Sequence, residues 1–347
     1  MADKVDAAEI CILFQGPRLD EAADDAPNGI TKACIARARK LFPAAEIVFS
    51  TWRGTAVADL TVDKVVFSED PGGHPFNHND AFLLNNTNRM LRTVKAGLTT
   101  SKEYVLKLRS DLYLYDKNFL RYFDRYDKFY IPLRVFRKKV LLFSLWTRAF
   151  HLTDSGRQPC AFHVSDWAQF GLTEDVKLLW DVPEVQEPEF SQWFATRNRF
   201  TREIEPWRTW KYPPEQLLGV KAFERLGLPV IDHSSDTSFS AEIVSRWFFA
   251  TNFVVLDQLK WRMVSLRIPF VQPFLPFQIY RGLYTFEIWL RDYSSVTAGV
   301  FPSGKRGDFR HNPLDPVRMC RRLGTVFGLN EVSGSRAFRR ILRSVAK

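Results

Sequence analysis

Glu103-Tyr-Val-Leu-Lys-Leu-Arg-Ser-Asp-Leu-Tyr-Leu-Tyr-Asp116 is the stretch that decides the fold. Tyr104, Val105, Leu106 and Leu108 form a short apolar, β-prone run, which breaks at Arg109-Ser110-Asp111 and resumes with Leu112 and Leu114. A run of this kind, closed by polar residues, reads as a buried strand of a mostly parallel sheet. Open α/β sheets bind their ligands beyond the carboxyl ends of such strands. An Arg and an Asp one residue apart suit a site that holds a phosphate and a divalent cation. A structural ion pair at a strand end reads the same way.

The flanking sequence supplies the other layers. Residues 9–14 read as a first strand, with Gln15-Gly-Pro-Arg18 as its exit turn. Residues 45–52 and 64–68 read as further strands, and residues 31–42 and 81–97 carry apolar positions at helical spacing. Strand, helix, strand, strand, helix, strand in this order predicts a nucleotide-binding α/β sheet flanked by helices. Downstream, strands are expected at 130–136 and 229–232, an apolar run follows at 140–144, residues 161–167 lead into a helix-like segment at 173–180, and a helix is expected at 213–226. A boundary near residues 235–239 divides a catalytic domain, 1–238, from a mainly helical, basic and aromatic-rich extension, 239–347, with helices at 241–252 and 256–268.

Composition narrows the function classes. The chain has 347 residues with 30 Phe and 10 Trp, enough for a large core; aromatics also suit membrane surfaces. No run approaches the roughly 18 apolar residues of a spanning helix. The acidic N-terminus lacks a signal-peptide pattern, so a cytoplasmic location is expected. Cys11, Cys34, Cys160 and Cys320 lie far apart without a CxxC pair, which argues against a zinc site or disulfide framework. The formal charge of +10 is uneven: residues 1–256 hold 33 basic and 33 acidic groups, residues 257–347 hold 16 and 6. That excess points to an anionic surface, lipid or nucleic acid.

Two further constellations carry chemistry. His163-Val-Ser-Asp166-Trp167 precedes a helix-like segment, so Asp166 reads as an N-cap, a general base or a metal ligand beside His163. Glu215-Gln216 opens a helix after Pro213-Pro214, where acidic residues are favoured in any case. Residues 299–306 resemble a phosphate-binding loop, but Arg306 stands where magnesium needs a hydroxyl.

The ordered series Ile12-Leu-Phe-Gln-Gly-Pro-Arg18, Phe42 to Trp52, Ser68-Glu-Asp-Pro-Gly72, Asn85 to Leu91, Tyr104 to Leu112, Phe162 to Trp167, Phe170 to Asp175, Leu179-Trp-Asp181 and Pro214-Glu-Gln216 resembles the WavE-type lipopolysaccharide-synthesis family, glycosyltransferases with a GT-A-like nucleotide-sugar domain. The resemblance implies sugar transfer from a nucleotide-diphosphate donor to a lipid-linked or oligosaccharide acceptor. By position it implies that Gln15, Gly16, Arg18, Asp70, Asn88, Arg89 and Arg109 meet the nucleotide-sugar, with Arg109 on the diphosphate. It implies Asp111 and His163 as ligands of Mn or Mg, Asp166 as base if the transfer inverts and without that role if it retains, and Trp167, Glu215 and Gln216 on the acceptor side. GT-A enzymes usually carry Asp-x-Asp where this chain has Arg109-Ser110-Asp111, which puts metal dependence in question.

Residues 335–345 place Phe338, Ile341, Leu342 and Val345 opposite four arginines, the pattern of an interfacial helix or of a helix docked on the core. The first reading makes the enzyme peripheral on the inner membrane. The rival class is a non-catalytic protein that grips membrane or nucleic acid through its basic tail. No nucleic-acid-binding motif is present, so no nucleic-acid partner is expected.

Overall fold

The computed structural model describes residues 5–22, 26–78, 81–153, 156–195, 209–234, 236, 238–267 and 282–298. Thirteen strands are described: β1 Ile10–Gln15, β2 Glu46–Trp52, β3 Lys64–Ser68, β4 His74–His78, β5 Ala81–Asn85, β6 Tyr104–Arg109, β7 Leu112–Leu114, β8 Val140–Phe143, β9 Arg148–Thr153, β10 Gly156–His163, β11 Ala168–Leu172, β12 Phe253–Leu256 and β13 Met263–Ser265. The helices are α1 Ile30–Leu41, α2 Thr87–Gly97, α3 Thr173–Trp180, α4 Pro214–Glu224, α5 Phe239–Asn252, α6 Gln258–Trp261 and α7 Phe286–Thr297.

Seven strands form the central sheet in the order β12-β8-β11-β6-β1-β2-β3. β1 pairs in parallel with both β2 and β6, while β11 runs antiparallel between β6 and β8. Helices pack against this mixed sheet, which makes it an α/β fold of the GT-A or Rossmann-like kind. Every residue of β1 is buried, as a strand covered on both faces requires. The aromatic excess serves this core: Trp180, Trp261 and Trp289 are fully buried, and Trp261 donates its indole N–H to the Leu142 carbonyl at 3.1 Å.

Three expectations change. The helix expected over 81–97 starts only at Thr87, because residues 81–85 pair as a hairpin with β4. The Asn85 carboxamide then accepts the Thr87 N–H at 2.9 Å, and the chain turns helical. The strand expected at 130–136 is a short 3-10 turn, Ile131–Leu133, and no strand forms at 229–232.

Residues on both sides of the expected boundary at 238/239 pair in the central sheet. β12 pairs in parallel with β8 and closes one edge of the central sheet. Instead of one helix over 256–268, the chain forms α6 and then β13, which pairs with β7. β-branched Val254 and Val255 and the αL residue Arg262 fit those breaks. Residues 299–347, including the phosphate-loop-like segment, the amphipathic stretch at 335–345 and much of the basic excess, lie outside the described residues.

Candidate functional site

Strand register brings the key side chains to one edge of the sheet. Gln15 and Arg109 are partners at the carboxyl ends of β1 and β6. Antiparallel β11 begins at that same edge, Ala168 opposite Leu108, and the Arg109 N–H donates to the Trp167 carbonyl at 3.1 Å. The loop carrying Asp166 and Trp167 therefore arrives beside Arg109. The Arg109 guanidinium stacks 3.6 Å from the Trp167 ring centroid. Its Nε and Nη2 donate to Asp111 Oδ1 and Oδ2 at 2.8 and 2.5 Å.

Asp111 is only 2% exposed. β13 delivers Ser265, whose hydroxyl donates to Asp111 Oδ2 at 2.5 Å, and the Leu266 N–H donates to the Asp111 carbonyl at 2.9 Å. Burial would raise the Asp111 pKa, but the Arg109 charge and fork, with Ser265, outweigh it and hold it below the usual range. Ser110 faces the β1 turn, its N–H on the Gln15 carbonyl and its hydroxyl on the Pro17 carbonyl at 2.7 Å. Gly16 has φ +120°, a backbone conformation that favours glycine.

A buried polar floor lies under the 165–167 loop. Lys107 is fully buried in β6, its ammonium donating to the Asp166 carbonyl and sitting 4.8 Å from the Trp180 ring centroid. Burial, only partly opposed by Asp166, pushes its pKa down to about 8. The Gln169 carboxamide donates to the Ser165 carbonyl at 2.9 Å and accepts from the Trp180 indole at 2.5 Å. Asp166 itself is partly exposed, and its buried Oδ1 has no hydrogen-bond donor among the described residues.

Glu215 approaches from the first turn of α4. Its carbonyl accepts the Val164 N–H at 3.0 Å. Helix α4 lies so close to β10 that a Cβ at Gly219 would fall 1.9 Å from the Phe162 carbonyl oxygen. Burial, then the charge of Asp166, lifts the Glu215 pKa well above the usual carboxylate range. One edge thus gathers a stacked, ion-paired Arg and two carboxyl groups, one with its pKa raised, a set suited to binding an anion beside a proton transfer.

The family model described as WavE lipopolysaccharide synthesis matches residues 10–293. The chain belongs to the WavE lipopolysaccharide-synthesis family. Membership places it in the synthesis of lipopolysaccharide, and the match covers β12, the strand that completes the sheet, and extends into α7. No curated protein matches the WavE chain. Among solved structures, HddC from Yersinia pseudotuberculosis is similar over 50% of this chain and 80% of its own, at 8% identity and a TM-score of 0.27, an overlap too weak to carry an argument.

Several expected site residues of this WavE protein lie elsewhere or are engaged. Asp166 precedes a strand, β11, not a helix, so it is no N-cap. Arg18 is tied to Asp20, Asp59 and the Ala56 carbonyl. Asn88 clamps Val185 with both ends of its carboxamide, at 2.7 and 3.0 Å, and Gln216 is buried with its amide on the Ala161 carbonyl at 2.8 Å. The Gln15 carboxamide turns inward to Thr93 Oγ1 at 3.0 Å. Asp70 and Arg89 form a two-pronged pair at 2.7 and 2.6 Å beyond β3. β3 lies three strands from β6, about 14 Å at ordinary strand spacing.

The implied divalent metal does not fit Asp111 as it stands. Both Asp111 carboxylate oxygens face donors, Arg109 and Ser265. The His163 Nδ1 lies 2.8 Å from the Trp146 carbonyl, and burial, then Arg148, drives its pKa down to about 3, keeping the ring neutral. Among the described residues, no group of three or more His, Cys, Asp or Glu side chains could hold a metal. Lys107, Ser265, Trp146 and Arg148 escaped the sequence reading. Only Lys107, a lone charge in an apolar strand, left a local trace; Ser265 reaches Asp111 across 154 residues of chain.

Proposed function

We propose that this WavE-family chain is a glycosyltransferase that moves a sugar from a nucleotide-diphosphate donor onto a lipopolysaccharide-core or other surface-glycan acceptor. The observation that carries the reading is the Arg109 guanidinium, fixed by Asp111 on one edge and by Trp167 on one face, at the carboxyl ends of β1 and β6. Among the described residues its Nη1 donates no hydrogen bond. That corner of the fork suits a diphosphate oxygen, and a pre-oriented cation there stabilises the charge that builds as the diphosphate departs. Arg109 thereby supplies charge that a cation supplies in metal-dependent transfer.

Asp166 sits on the same edge and would take the proton of the attacking acceptor hydroxyl. Asp70 and Arg89, at the outer strand, would meet the nucleoside, with the donor lying along the strand ends. Trp167 and Glu215 would border the acceptor. Among the described residues no helix is long and apolar enough to cross a membrane. A lipid-linked acceptor would be met at the cytoplasmic surface of the inner membrane, where a basic segment 257–347 favours anionic headgroups.

The test is turnover of a panel of nucleotide-sugars in the presence of lipopolysaccharide-core oligosaccharides, read as released nucleoside diphosphate. Release from one donor that needs the acceptor and collapses in Asp166→Asn supports the reading. No release from any pair contradicts it.

A further inference from the structure

We propose that Trp146 is a platform for the acceptor glycan, its indole packing against the apolar face of a sugar ring and its N–H donating to a sugar hydroxyl. The acceptor role rests on the glycosyltransferase reading; binding of a glycan by the ring does not.

Strand register brings Trp146 to the ligand edge. β11 is antiparallel to both β6 and β8, so β8 runs the same way as β6 and ends at the same edge. Trp146 comes three residues after Phe143, the last residue of β8. Its ring centroid lies 6.2 Å from that of Trp167, the ring that carries the Arg109 guanidinium. The Arg148 guanidinium lies 5.0 Å from the Trp146 centroid. Sheet order then sets the side. β8 lies two strands from β6, and β3, which carries Asp70 and Arg89 at its exit, lies on the opposite side of β6. With the nucleoside towards β3 and the diphosphate at Arg109, Trp146 stands on the side left for the acceptor.

The Trp146 ring does not behave as a core side chain. Trp180 and Trp261 are fully buried, and their indole N–H groups donate to Gln169 and to the Leu142 carbonyl. Trp146 is partly exposed, and among the described residues its indole N–H donates to nothing. Its backbone sits at φ +66°, a left-handed conformation that a bulky residue seldom adopts. Such conformations persist where the surroundings over-determine them, and they cluster at binding and catalytic sites.

The surroundings here do so. The His163 ring donates from Nδ1 to the Trp146 carbonyl at 2.8 Å. The neighbouring Thr147 hydroxyl donates to the Phe143 carbonyl at 2.8 Å and accepts the Ser165 N–H at 3.3 Å. The Tyr284 N–H donates to the Thr147 carbonyl at 2.7 Å. These bonds hold the main chain on both sides of the indole and leave its N–H unused.

The chemistry of the ring selects the ligand. C–H bonds on one face of a pyranose form an apolar surface of slight positive charge, which the negative face of an indole attracts. The indole N–H beside that surface meets a hydroxyl at its rim. An apolar body with one donor suits a sugar better than a lipid chain or a bare phosphate.

The experiment is calorimetric binding of lipopolysaccharide-core oligosaccharides to the full chain, wild type beside Trp146→Gly and Trp146→Phe. Glycine accepts φ +66° without strain, so Trp146→Gly removes the ring and spares the turn. One oligosaccharide should bind the wild type, and bind Trp146→Gly about tenfold more weakly. Trp146→Phe, which keeps an aromatic face without the N–H, should fall between them. Melting shifts with nucleoside diphosphates should be equal in all three proteins, because Arg109 and Asp111 are untouched. Equal oligosaccharide affinity in wild type and Trp146→Gly would overturn the inference, as would a panel from which nothing binds the wild type. An equal loss of both affinities would also overturn it, since Trp146 would then act only by holding Trp167. Glycan binding that depends on Trp146, without turnover of any nucleotide-sugar, would keep the platform and contradict the glycosyltransferase reading instead.

Discussion

Asp111 grips the Arg109 guanidinium at Nε and Nη2, and is itself gripped by Ser265. A carboxylate one residue from a strand end, in a fold that often keeps a metal there, is in this protein the orienter of an arginine. The difference follows from Arg109, whose planar fork matches a carboxylate edge to edge.

Breaking that clamp should cost both stability and binding. Asp111→Asn keeps the shape and removes the charge opposite Arg109. Removing one partner of a buried ion pair typically costs about 3–5 kcal/mol. Chemical denaturation should show a loss of that order, and nucleotide affinity should fall with it.

Metal removal should matter little. Both Asp111 oxygens face donors from this chain, so EDTA is expected to leave nucleoside-diphosphate affinity unchanged, measured by calorimetry. A loss of affinity restored by Mn would show that the clamp opens to a cation.

Trp167 fixes the face of the same guanidinium. Trp167→Leu removes the ring 3.6 Å from Arg109 while keeping an apolar side chain. Cation–π contacts of this type are worth about 0.5–2 kcal/mol. Affinity for the diphosphate should therefore weaken up to about thirtyfold, with only a modest change in melting temperature.

Lys107 should give stability a rising limb at alkaline pH. Its folded pKa is pushed down to about 8, so above that value the folded state holds fewer protons than the unfolded state. Stability should rise with pH from about 8 to the unfolded value near 10.4 and level off beyond it. Lys107→Met should abolish the rise, as followed by thermal melts.

Gly219 sets the seat of Glu215. A Cβ there would meet the Phe162 carbonyl at 1.9 Å, and main chain cannot swing aside as a side-chain tip can. Gly219→Ala should cost about 1–3 kcal/mol or more, read as a lower melting temperature.

The sheet was legible in the sequence where apolar runs ended in turn residues. Residues 64–68 and 173–180 match β3 and α3 end to end. Legibility failed where local pattern and tertiary pairing conflict. Ala81-Phe-Leu-Leu is as good a helix start as a strand, and pairing with β4 decides it. Residues 253–265 carry a helix-like apolar density, yet pairing with β8 and β7 draws 253–256 and 263–265 into strands and leaves only α6 helical. In the candidate site, Arg109 and Asp166 are legible as candidates because they stand next to strand ends. Ser265 and Arg148 reach the site through long-range pairing, which leaves no mark in local spacing.

The central claim is that a nucleotide-diphosphate donor binds at Arg109. Its most direct test is thermal stability of the pure protein against a panel of nucleoside diphosphates, in wild type and Arg109→Gln. A ligand at 100 times its dissociation constant adds about 2.7 kcal/mol. One nucleoside diphosphate should raise the wild-type melting temperature, and that shift should vanish in folded Arg109→Gln. A panel without any shift, or a shift that survives the loss of Arg109, would contradict the account.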